Sequence, residues 1–285
     1  HGFEIIENPH GRPMTFEELK GVVGDISAVV AGVDTWNEEV FALAPHLKVI
    51  ARFGVGVDNI DTAKAKEHGI TVTNCLGANS NSVSEHAMAP RLMETTRRGQ
   101  WERAVYHEFT EMTIGLLGFG AIARMLAEKL QPFGARLIAY DLYPNQEEAE
   151  RLGVTLVSEQ ELFQTSDVIS VHIPSLPSTY HKINAETIAE MKDGVHIINT
   201  ARGPIIDEKA LYDGLVSGKI KGAAIDVYEQ EPVSPENPLF SLPNFIGTPH
   251  TAAESYENYD RCGRITAQAI IDVFEGKEPC HMVTL

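Results

Sequence analysis

The chain has 285 residues, enough for one large domain or two smaller ones, and its hydrophobic content of 43% is sufficient for a full core. Its 40 Asp and Glu residues against 23 Lys and Arg give a formal net charge of −17, which argues against DNA, RNA and anionic membranes as partners. No apolar run approaches the ~20 residues of a membrane span, so none is predicted.

The three cysteines lie far apart, at Cys75, Cys262 and Cys280, and form no CxxC pair. They predict no disulfide framework and favour a reducing compartment. The first residues lack the basic and apolar regions of a signal peptide. We therefore expect a cytoplasmic protein, and we expect no metal site.

Short runs rich in Val and Ile alternate with helix-like segments along the chain. Most of the runs are continuously apolar, as parallel strands buried on both faces are. Strands that alternate with helices predict an α/β, doubly wound fold. The predicted strands are residues 3–7, 28–31, 48–52, 71–74, 114–118, 137–141, 168–172, 196–200, 223–227 and 245–249, with helices that include 62–68, 122–130 and 207–216.

Two longer helical stretches are candidates for bridges between domains. Residues 82–98 are interrupted by Pro90, and residues 253–275 end before Gly276. A chain that leaves one sheet, builds a second and returns needs two such helices. We therefore predict two doubly wound parallel-sheet domains, one of residues 1–81 and 255–285 and one of residues 82–254.

A glycine motif connects a predicted strand to an amphipathic helix, reading Gly118-Phe119-Gly120-Ala121-Ile122-Ala123. Gly118 permits the tight turn, and Gly120 lets backbone N–H groups approach a pyrophosphate at the helix N-terminus. Ala123 is small enough for the helix to pack closely on the sheet. The alternative is a glycine-rich turn that binds no ligand.

Asp141 ends the next predicted strand, about 20 residues beyond the motif, where a dinucleotide-binding domain places its ribose-binding acid. Its carboxylate would accept hydrogen bonds from the ribose 2′-OH and repel a 2′-phosphate. No Arg follows immediately, since the next residues are Leu142, Tyr143 and Pro144. The pattern therefore predicts NAD rather than NADP as cofactor.

Three polar side chains, Arg202, Glu231 and His250, each follow a predicted buried strand. Ligands of open α/β sheets bind beyond the carboxyl ends of strands, so the three could converge on one crevice. Each also has an ordinary alternative: a surface Arg near a helix, one acid of an acidic loop, and a structural His.

The sequence resembles the D-isomer-specific 2-hydroxyacid dehydrogenases over nearly its whole length. NTARG (199–203), AAIDVYEQEP (223–232) and TPHTAA (248–253) match that family's three signature regions in order and spacing. ARFGVGVDNID (51–61) and SVSEHA (82–87) match its substrate loop and crossing helix. Within the family, the likeness is strongest to the phosphoglycerate dehydrogenases, through ARFGVGVDN (51–59) and RCG (261–263). The resemblance implies that residues 82–254 are an NAD-binding Rossmann domain and that residues 1–81 and 255–285 are a flavodoxin-like substrate-binding domain.

The resemblance implies hydride transfer between NAD and C2 of a D-2-hydroxy acid, with 3-phosphoglycerate and phosphohydroxypyruvate as the favoured pair. His250 is then the acid/base, because the pKa of imidazole lies near neutral pH. Glu231 would fix the His250 tautomer and favour imidazolium. Arg202 would bind the substrate carboxylate and polarise the carbonyl.

The resemblance also implies further binding residues. The N–H groups of Val55 and Gly56 would hold the substrate carboxylate, and Arg52 would contact a phosphate; the alternatives are a plain glycine turn and a surface cation. Asp226 would reach the nicotinamide amide. For Cys75, the alternative is a small buried residue, and for His172 and Pro174 it is a structural role. The implied cofactor-binding residues are Cys75, Gly118, Gly120, Ala121, Ile122, Asp141, His172, Ile173, Pro174, Thr200, Ala201, Asp226 and Ala252.

Two other functions stay open: a hydroxypyruvate or glyoxylate reductase, and a non-catalytic NAD(H)-sensing module resembling the corepressors of this fold. The resemblance implies a homodimer. The family pattern leads us to expect a strand and a helix before residues 3–7 and a longer segment in place of residues 91–101. No regulatory module is expected after Leu285.

Overall fold

The computed structural model describes residues 2–10, 13–78 and 109–283, and the chain forms two compact units. Residues 1–79 and 255–285 make the first unit, and residues 80–254 make the second. Each unit contains a parallel β-sheet with helices between its strands, so the predicted α/β class is confirmed. The predicted crossing helix at residues 82–98 and the short segment at residues 91–101 lie outside the described residues.

The described strands and helices alternate along the chain. The strands are β1 (Ala28–Ala31), β2 (Val49–Arg52), β3 (Thr71–Thr73), β4 (Thr113–Leu117), β5 (Arg136–Tyr140), β6 (Thr155–Leu156), β7 (Val168–Val171), β8 (Val195–Asn199), β9 (Ile220–Ile225) and β10 (Phe245–Gly247). The α-helices are α1 (Phe16–Lys20), α2 (Glu38–Ala42), α3 (Thr62–Glu67), α4 (Ala121–Leu130), α5 (Gln146–Arg151), α6 (Glu159–Thr165), α7 (Ala185–Glu190), α8 (Glu208–Ser217) and α9 (Tyr256–Phe274).

The first unit is built on a three-stranded parallel sheet in the order β1-β2-β3. All residues of β2 are buried, as its continuous apolar sequence predicts. Trp36, Phe41 and Ile50 fill the core of this unit. Helix α9 packs against the sheet, and the N–H of Val283 donates to the carbonyl of Val72 at 2.9 Å. The two chain segments of the unit are thereby joined.

The second unit contains a seven-stranded sheet in the order β6-β5-β4-β7-β8-β9-β10, with every pair parallel. The chain starts at β4, moves outward through β5 and β6, and returns to β4 with β7. The strand order therefore reverses between β4 and β7, where open parallel sheets bind their ligands. Parallel pairing also brings the carboxyl ends of all seven strands to one edge.

Several boundaries differ from the predicted ones. Residues 3–7 form no strand, and Phe3, Ile5 and Ile6 are 48, 81 and 59% exposed, because an apolar run becomes a strand only where a partner strand is available. Strand β6 was missed, since two residues are too short to show a pattern. Helix α9 begins at Tyr256 rather than residue 253, because the Ser255 side chain accepts from the N–H of Asn258 and caps the helix.

None of the helices in the described part of the chain combines the length and the apolar character needed to cross a bilayer.

Candidate active site

The glycine turn lies between β4 and α4 and leaves open space at the start of the helix. Gly118 has φ of +97°, and a Cβ there would lie 2.8 Å from the backbone carbon of His172, so only glycine fits. Gly120 precedes the first residue of α4, which has no side-chain cap, and a Cβ there would meet nothing within 4 Å. Uncapped N–H groups of Ala121 and Ile122 beside open space suit a phosphate.

Asp141 contacts this turn directly. Its Oδ2 accepts the N–H of Phe119 at 2.7 Å, and its Oδ1 accepts the N–H of Tyr143 at 2.8 Å. An ionised carboxylate oxygen can accept a second hydrogen bond, so both oxygens keep capacity for a hydroxyl ligand. The structure thus places Asp141 beside the glycine turn, and its contact with ribose stays a prediction.

The turn after β7 lies against the glycine turn, because the Cβ position of Gly118 is 3.0 Å from Cγ2 of Ile173. His172 Nε2 is 2.9 Å from the hydroxyl of Ser170, and burial lowers the pKa of His172 to about 4. The ring is therefore neutral at pH 7. The carbonyl of Pro174 accepts from the hydroxyl of Thr179 at 2.7 Å. These contacts give His172 and Pro174 a structural role, and their adenine contact stays a prediction.

Thr200 carries a buried hydroxyl that has no hydrogen-bond partner within the described ranges. Buried polar atoms of native proteins are almost always paired, so an unpaired hydroxyl at a strand end points to a ligand. Thr200 immediately follows β8, two strands from the glycine turn at the same carboxyl edge. The hydroxyl, the turn at Gly118 and the carboxylate of Asp141 together fit a bound dinucleotide.

His250 and Glu231 form a hydrogen-bonded pair, with 2.7 Å between Nδ1 of His250 and Oε2 of Glu231. About a third of each side chain is exposed. Burial alone would raise the pKa of Glu231, but hydrogen bonds from His250 and the Tyr228 N–H, with the charges of His250 and Arg202, together lower it. Since the ionised carboxylate can only accept, Nδ1 carries a proton and Nε2 is left for chemistry.

Arg202 follows β8 and lies close enough to Glu231 for its charge to lower the pKa of that carboxyl. Its Nη1 donates to the carbonyl of Ala201 at 2.6 Å. The adjacent Gly203 is pressed on the chain after β9, since a Cβ there would lie 1.9 Å from the backbone carbon of Tyr228. The three predicted catalytic residues, Arg202, Glu231 and His250, all belong to the second unit.

Asp226 is a buried carboxylate that holds the loop carrying His250. Its oxygens accept the N–H groups of Thr251 at 2.9 Å and Ala252 at 2.8 Å, and the hydroxyl of Thr248 donates to it over a short distance. The N–H of His250 donates to the Asp226 carbonyl at 2.7 Å, and His250 has φ of +55°. These contacts position the imidazole, and the contact of Asp226 with nicotinamide stays a prediction.

In the first unit, Arg52 is only 7% exposed, so the alternative of a surface cation is wrong. Its Nε donates to the carbonyl of Gly56 at 3.0 Å and its Nη1 to the carbonyl of Phe53 at 2.5 Å. A Cβ at Gly54 would lie 2.8 Å from Nη1. The guanidinium thus braces the glycine turn from within, and the Asn74 amide donates to the Val55 carbonyl at 2.9 Å.

Cys75 is fully buried beside Cys262 in the same unit. Its thiol donates to the carbonyl of Arg52 at 3.4 Å, and its sulfur lies 3.7 Å from the carbonyl oxygen of Cys262. These are the contacts of a small buried residue, and its contact with a cofactor stays a prediction.

One residue of this site was missed in the sequence. Asn199 ends β8, is fully buried, and uses its side-chain amide to hold the turn that carries Thr200, Ala201 and Arg202. The available signal was an Asn at the end of an apolar strand, where a buried amide must find hydrogen-bond partners.

Comparison with known proteins gives the same family from several directions. Residues 84–252 match the family model described as D-isomer specific 2-hydroxyacid dehydrogenase, NAD binding domain. A D-3-phosphoglycerate dehydrogenase of Archaeoglobus fulgidus is 40% identical over 284 residues, covering 95% of this chain and 54% of the relative. The chain therefore spans about half the length of that relative.

Other similar proteins are matched over most of their length. A hydroxypyruvate reductase of Thermotoga maritima is 42% identical over 261 residues, covering 87% of this chain and 84% of the relative. A crystal structure of D-lactate dehydrogenase from Aquifex aeolicus, complexed with NAD and lactic acid, superposes with a TM-score of 0.82 and 30% identity. That match covers 90% of this chain and 85% of the other.

Proposed function

Because the chain belongs to the D-isomer-specific 2-hydroxyacid dehydrogenase family, we propose that it transfers hydride between NAD and C2 of a small D-2-hydroxy acid. The observation that carries this proposal is the pair of His250 and Glu231, 2.7 Å apart, with the charge of Arg202 beside it. The pair lies in the unit that matches the family's NAD-binding domain.

The chain has residues suited to hold NAD. The N–H groups of Ala121 and Ile122 would bind the pyrophosphate, Asp141 the ribose hydroxyls, and the unpaired hydroxyl of Thr200 a further polar group of the cofactor. When bound, NAD supplies the hydride acceptor or donor at its nicotinamide ring.

The protein's own chemistry is proton transfer and charge stabilisation. His250 would donate a proton from Nε2 to the C2 oxygen during ketone reduction and accept it during alcohol oxidation. Glu231 holds Nδ1 of His250 and so fixes the tautomer that leaves Nε2 for proton transfer. Arg202 would pair its planar guanidinium with the substrate carboxylate and polarise the carbonyl.

The favoured substrate pair is 3-phosphoglycerate and phosphohydroxypyruvate, in line with the relative from A. fulgidus. Hydroxypyruvate or glyoxylate is the second candidate, supported by the T. maritima reductase, which is matched over 84% of its length. Arg52 bears on this choice, because it hydrogen-bonds to its own loop and its charge lies under the turn of Val55 and Gly56. Such a brace would assist any 2-oxo acid carboxylate.

The first experiment is NADH oxidation with phosphohydroxypyruvate, hydroxypyruvate and glyoxylate in parallel, using His250→Ala as the control. Turnover that is lost in the variant supports the dehydrogenase, and the substrate with the highest kcat/KM identifies the physiological class. NADH binding without turnover on any of the three acids would favour a non-catalytic NAD(H)-sensing module instead.

The cofactor site is tested separately by Gly120→Ala. The position has φ of −77° and open space around it, so the variant should fold normally. The added methyl group would, however, occupy the place of the pyrophosphate and weaken NADH binding about tenfold or more. Unchanged NADH affinity, measured by fluorescence titration, would remove the glycine turn from its assigned role.

We also propose that the chain works in the cytoplasm as a homodimer. Cys75 and Cys262 are buried free thiols and Cys280 an exposed one, a set that persists best in a reducing compartment. The dimer follows from the family resemblance. Light scattering coupled to gel filtration measures it, and a single monomer mass at micromolar concentration would reject it.

A further inference from the structure

We propose that Asn199 is the positioning residue that sets where the Arg202 guanidinium meets the substrate carboxylate. The inference rests on the proposed function, because it assigns Arg202 to the carboxylate of a 2-oxo acid. It concerns a neutral, fully buried side chain that takes no part in proton or hydride transfer.

The amide of Asn199 bridges both sides of the turn that follows β8. Its Oδ1 accepts the N–H of Ala201 at 2.9 Å, and its Nδ2 donates to the carbonyl of Arg202 at 2.9 Å. Its backbone carbonyl accepts the N–H of Asp226 at 2.9 Å. One residue therefore connects the end of β8, the backbone of Arg202 and the end of β9.

The turn is also held at a second point, besides the amide of Asn199. Gly203 lies so close to Tyr228 that no Cβ fits, which fixes the far end of the turn. Arg202 itself has an extended backbone, with φ of −148° and ψ of 141°, and precedes a 3₁₀ turn at Gly203–Ile205. With one end held by Tyr228, the bond from Asn199 to the Arg202 carbonyl sets the direction in which the Arg202 side chain leaves.

The chemistry of Arg202 makes this direction important. A guanidinium recognises a carboxylate through a planar fork, so a shift of about 1 Å weakens both binding and carbonyl polarisation. A neutral amide can fix the backbone without offering a competing anion to the guanidinium. An Asp at this position would keep the acceptor for Ala201 but would place a carboxylate oxygen against the Arg202 carbonyl.

The test compares Asn199→Ala and Asn199→Asp with the same changes at Asn184. Asn184 lies in the same unit and also donates from its amide to a backbone carbonyl three residues away, that of His181 at 3.0 Å. It additionally caps α7 by accepting the N–H of Glu186 at 2.9 Å. The two asparagines thus have the same chemistry, and of the two only Asn199 hydrogen-bonds directly to Ala201 and Arg202.

We expect Asn199→Ala to lower kcat/KM for the 2-oxo acid about tenfold, with the KM for the acid raised by a larger factor than the Kd for NADH, because the Asn199 amide also holds the turn of Thr200 and Ala201. The pH dependence of kcat/KM should not move, because the pair of His250 and Glu231 is untouched. Asn184→Ala should lower the melting temperature and leave kcat/KM within about twofold. Equal kinetic losses at the two positions would overturn the proposal.

A double-mutant cycle with Arg202→Ala tests whether Asn199 acts through Arg202. The double variant should be no slower than Arg202→Ala alone, because the positioned group is already absent. Independent, multiplicative losses would show a general structural role and reject the inference.

Failure of the proposed function is distinguishable from failure of this inference. If the wild-type protein binds NADH but turns over none of the acids, the dehydrogenase proposal fails. The positioning role of Asn199 is then tested by titrating oxalate into the NADH-loaded protein instead of by kinetics. Weaker oxalate binding in Asn199→Ala, but not in Asn184→Ala, then still supports the positioning role. Oxalate binding that is equal in all variants, or absent in the wild type, rejects it.

Discussion

The turn after β8 and the loop after β10 present their functional side chains in different ways. The turn carries Arg202 and is held by the neutral amide of Asn199. The loop carries His250 and is held by the buried carboxylate of Asp226, which accepts from the N–H groups of Thr251 and Ala252. Both holding groups are fully enclosed, but only one of them bears a charge.

The difference follows from what each segment must present. A carboxylate offers acceptor sites in several directions, so Asp226 can gather the several donors of a longer loop. The shorter turn needs one donor and one acceptor, which an amide supplies. A cation that must stay available for an anionic substrate is best positioned by a group without charge. The choice of holding group, Asn199 or Asp226, therefore follows from the length of the segment and from the charge of the side chain that the segment presents.

The largest expected effect is at the far end of the turn. Gly203→Ala forces a Cβ to within 1.9 Å of the Tyr228 backbone, which cannot move aside as a side chain can. We expect the free energy of unfolding to fall by about 3 kcal/mol or more, with loss of turnover. Urea unfolding measures it, and Gly263→Ala in α9, where a Cβ meets nothing within 4 Å, is the control. Similar stability of both variants would show that the turn is not held at this end.

The next effect concerns the charge beside His250. Glu231→Gln keeps the size of the side chain but replaces the carboxylate beside Nδ1 of His250 by an amide that can also donate. We expect kcat/KM for ketone reduction to fall on the order of a hundredfold, because the imidazole tautomer and the charge beside it are no longer fixed. A kcat/KM within about twofold of the wild type would exclude Glu231 as the partner of His250.

The importance of the Asp226 carboxylate is tested by Asp226→Asn. The change replaces one acceptor oxygen by an NH₂ group that faces backbone donors, leaving a buried N–H of Thr251 or Ala252 unsatisfied. The free energy of unfolding should fall by about 2 kcal/mol, as for other unpaired buried polar groups. Chemical denaturation with and without NADH measures the loss. A loss no greater than that of Asn199→Ala would mean that the acceptor oxygens of Asp226 are no more important for stability than the neutral amide of Asn199.

The smallest effect is a pH dependence of the free energy of unfolding. It comes from His172 and must be subtracted before the stabilities of variants in the two segments are compared at acidic pH. Burial lowers the pKa of His172 from 6.5 to about 4, so between these values the unfolded chain binds a proton that the folded chain does not. Stability is therefore retained above pH 6.5 and lost progressively as the pH falls towards 4. From pH 7 to pH 5 we expect a loss of at most about 2 kcal/mol from this group. In His172→Asn, urea unfolding of the cofactor-free protein should show this loss reduced; an identical loss would assign it to other groups.

The sequence predicts where the candidate site residues lie better than it predicts the contacts that hold them. Gly118, Asp141 and the catalytic residues could be placed at one sheet edge, because parallel strands bring their carboxyl ends together. The support given by Asn199 could not be predicted, since its partners depend on how the turn folds back. The same holds for Arg52. The sequence shows a cation at this position, but it does not show that the guanidinium hydrogen-bonds to its own loop.

Pattern-based prediction also failed where an element depends on a neighbour. The apolar residues 3–7 have strand-like composition, yet a strand needs a partner to satisfy its backbone groups, and none of the described strands pairs with them. Strand β6 shows the converse, because two residues can join a sheet whose edge is already formed by β5.

The division of the first unit between residues 1–79 and 255–285 has a consequence for the order in which the protein is made. Chains emerge from the ribosome N-terminus first, and domains fold as units once their residues are available. All residues of the second unit emerge before α9, which packs on β1, β2 and β3. The sheet with the glycine turn can thus fold during translation, while the first unit is completed only after α9 has emerged.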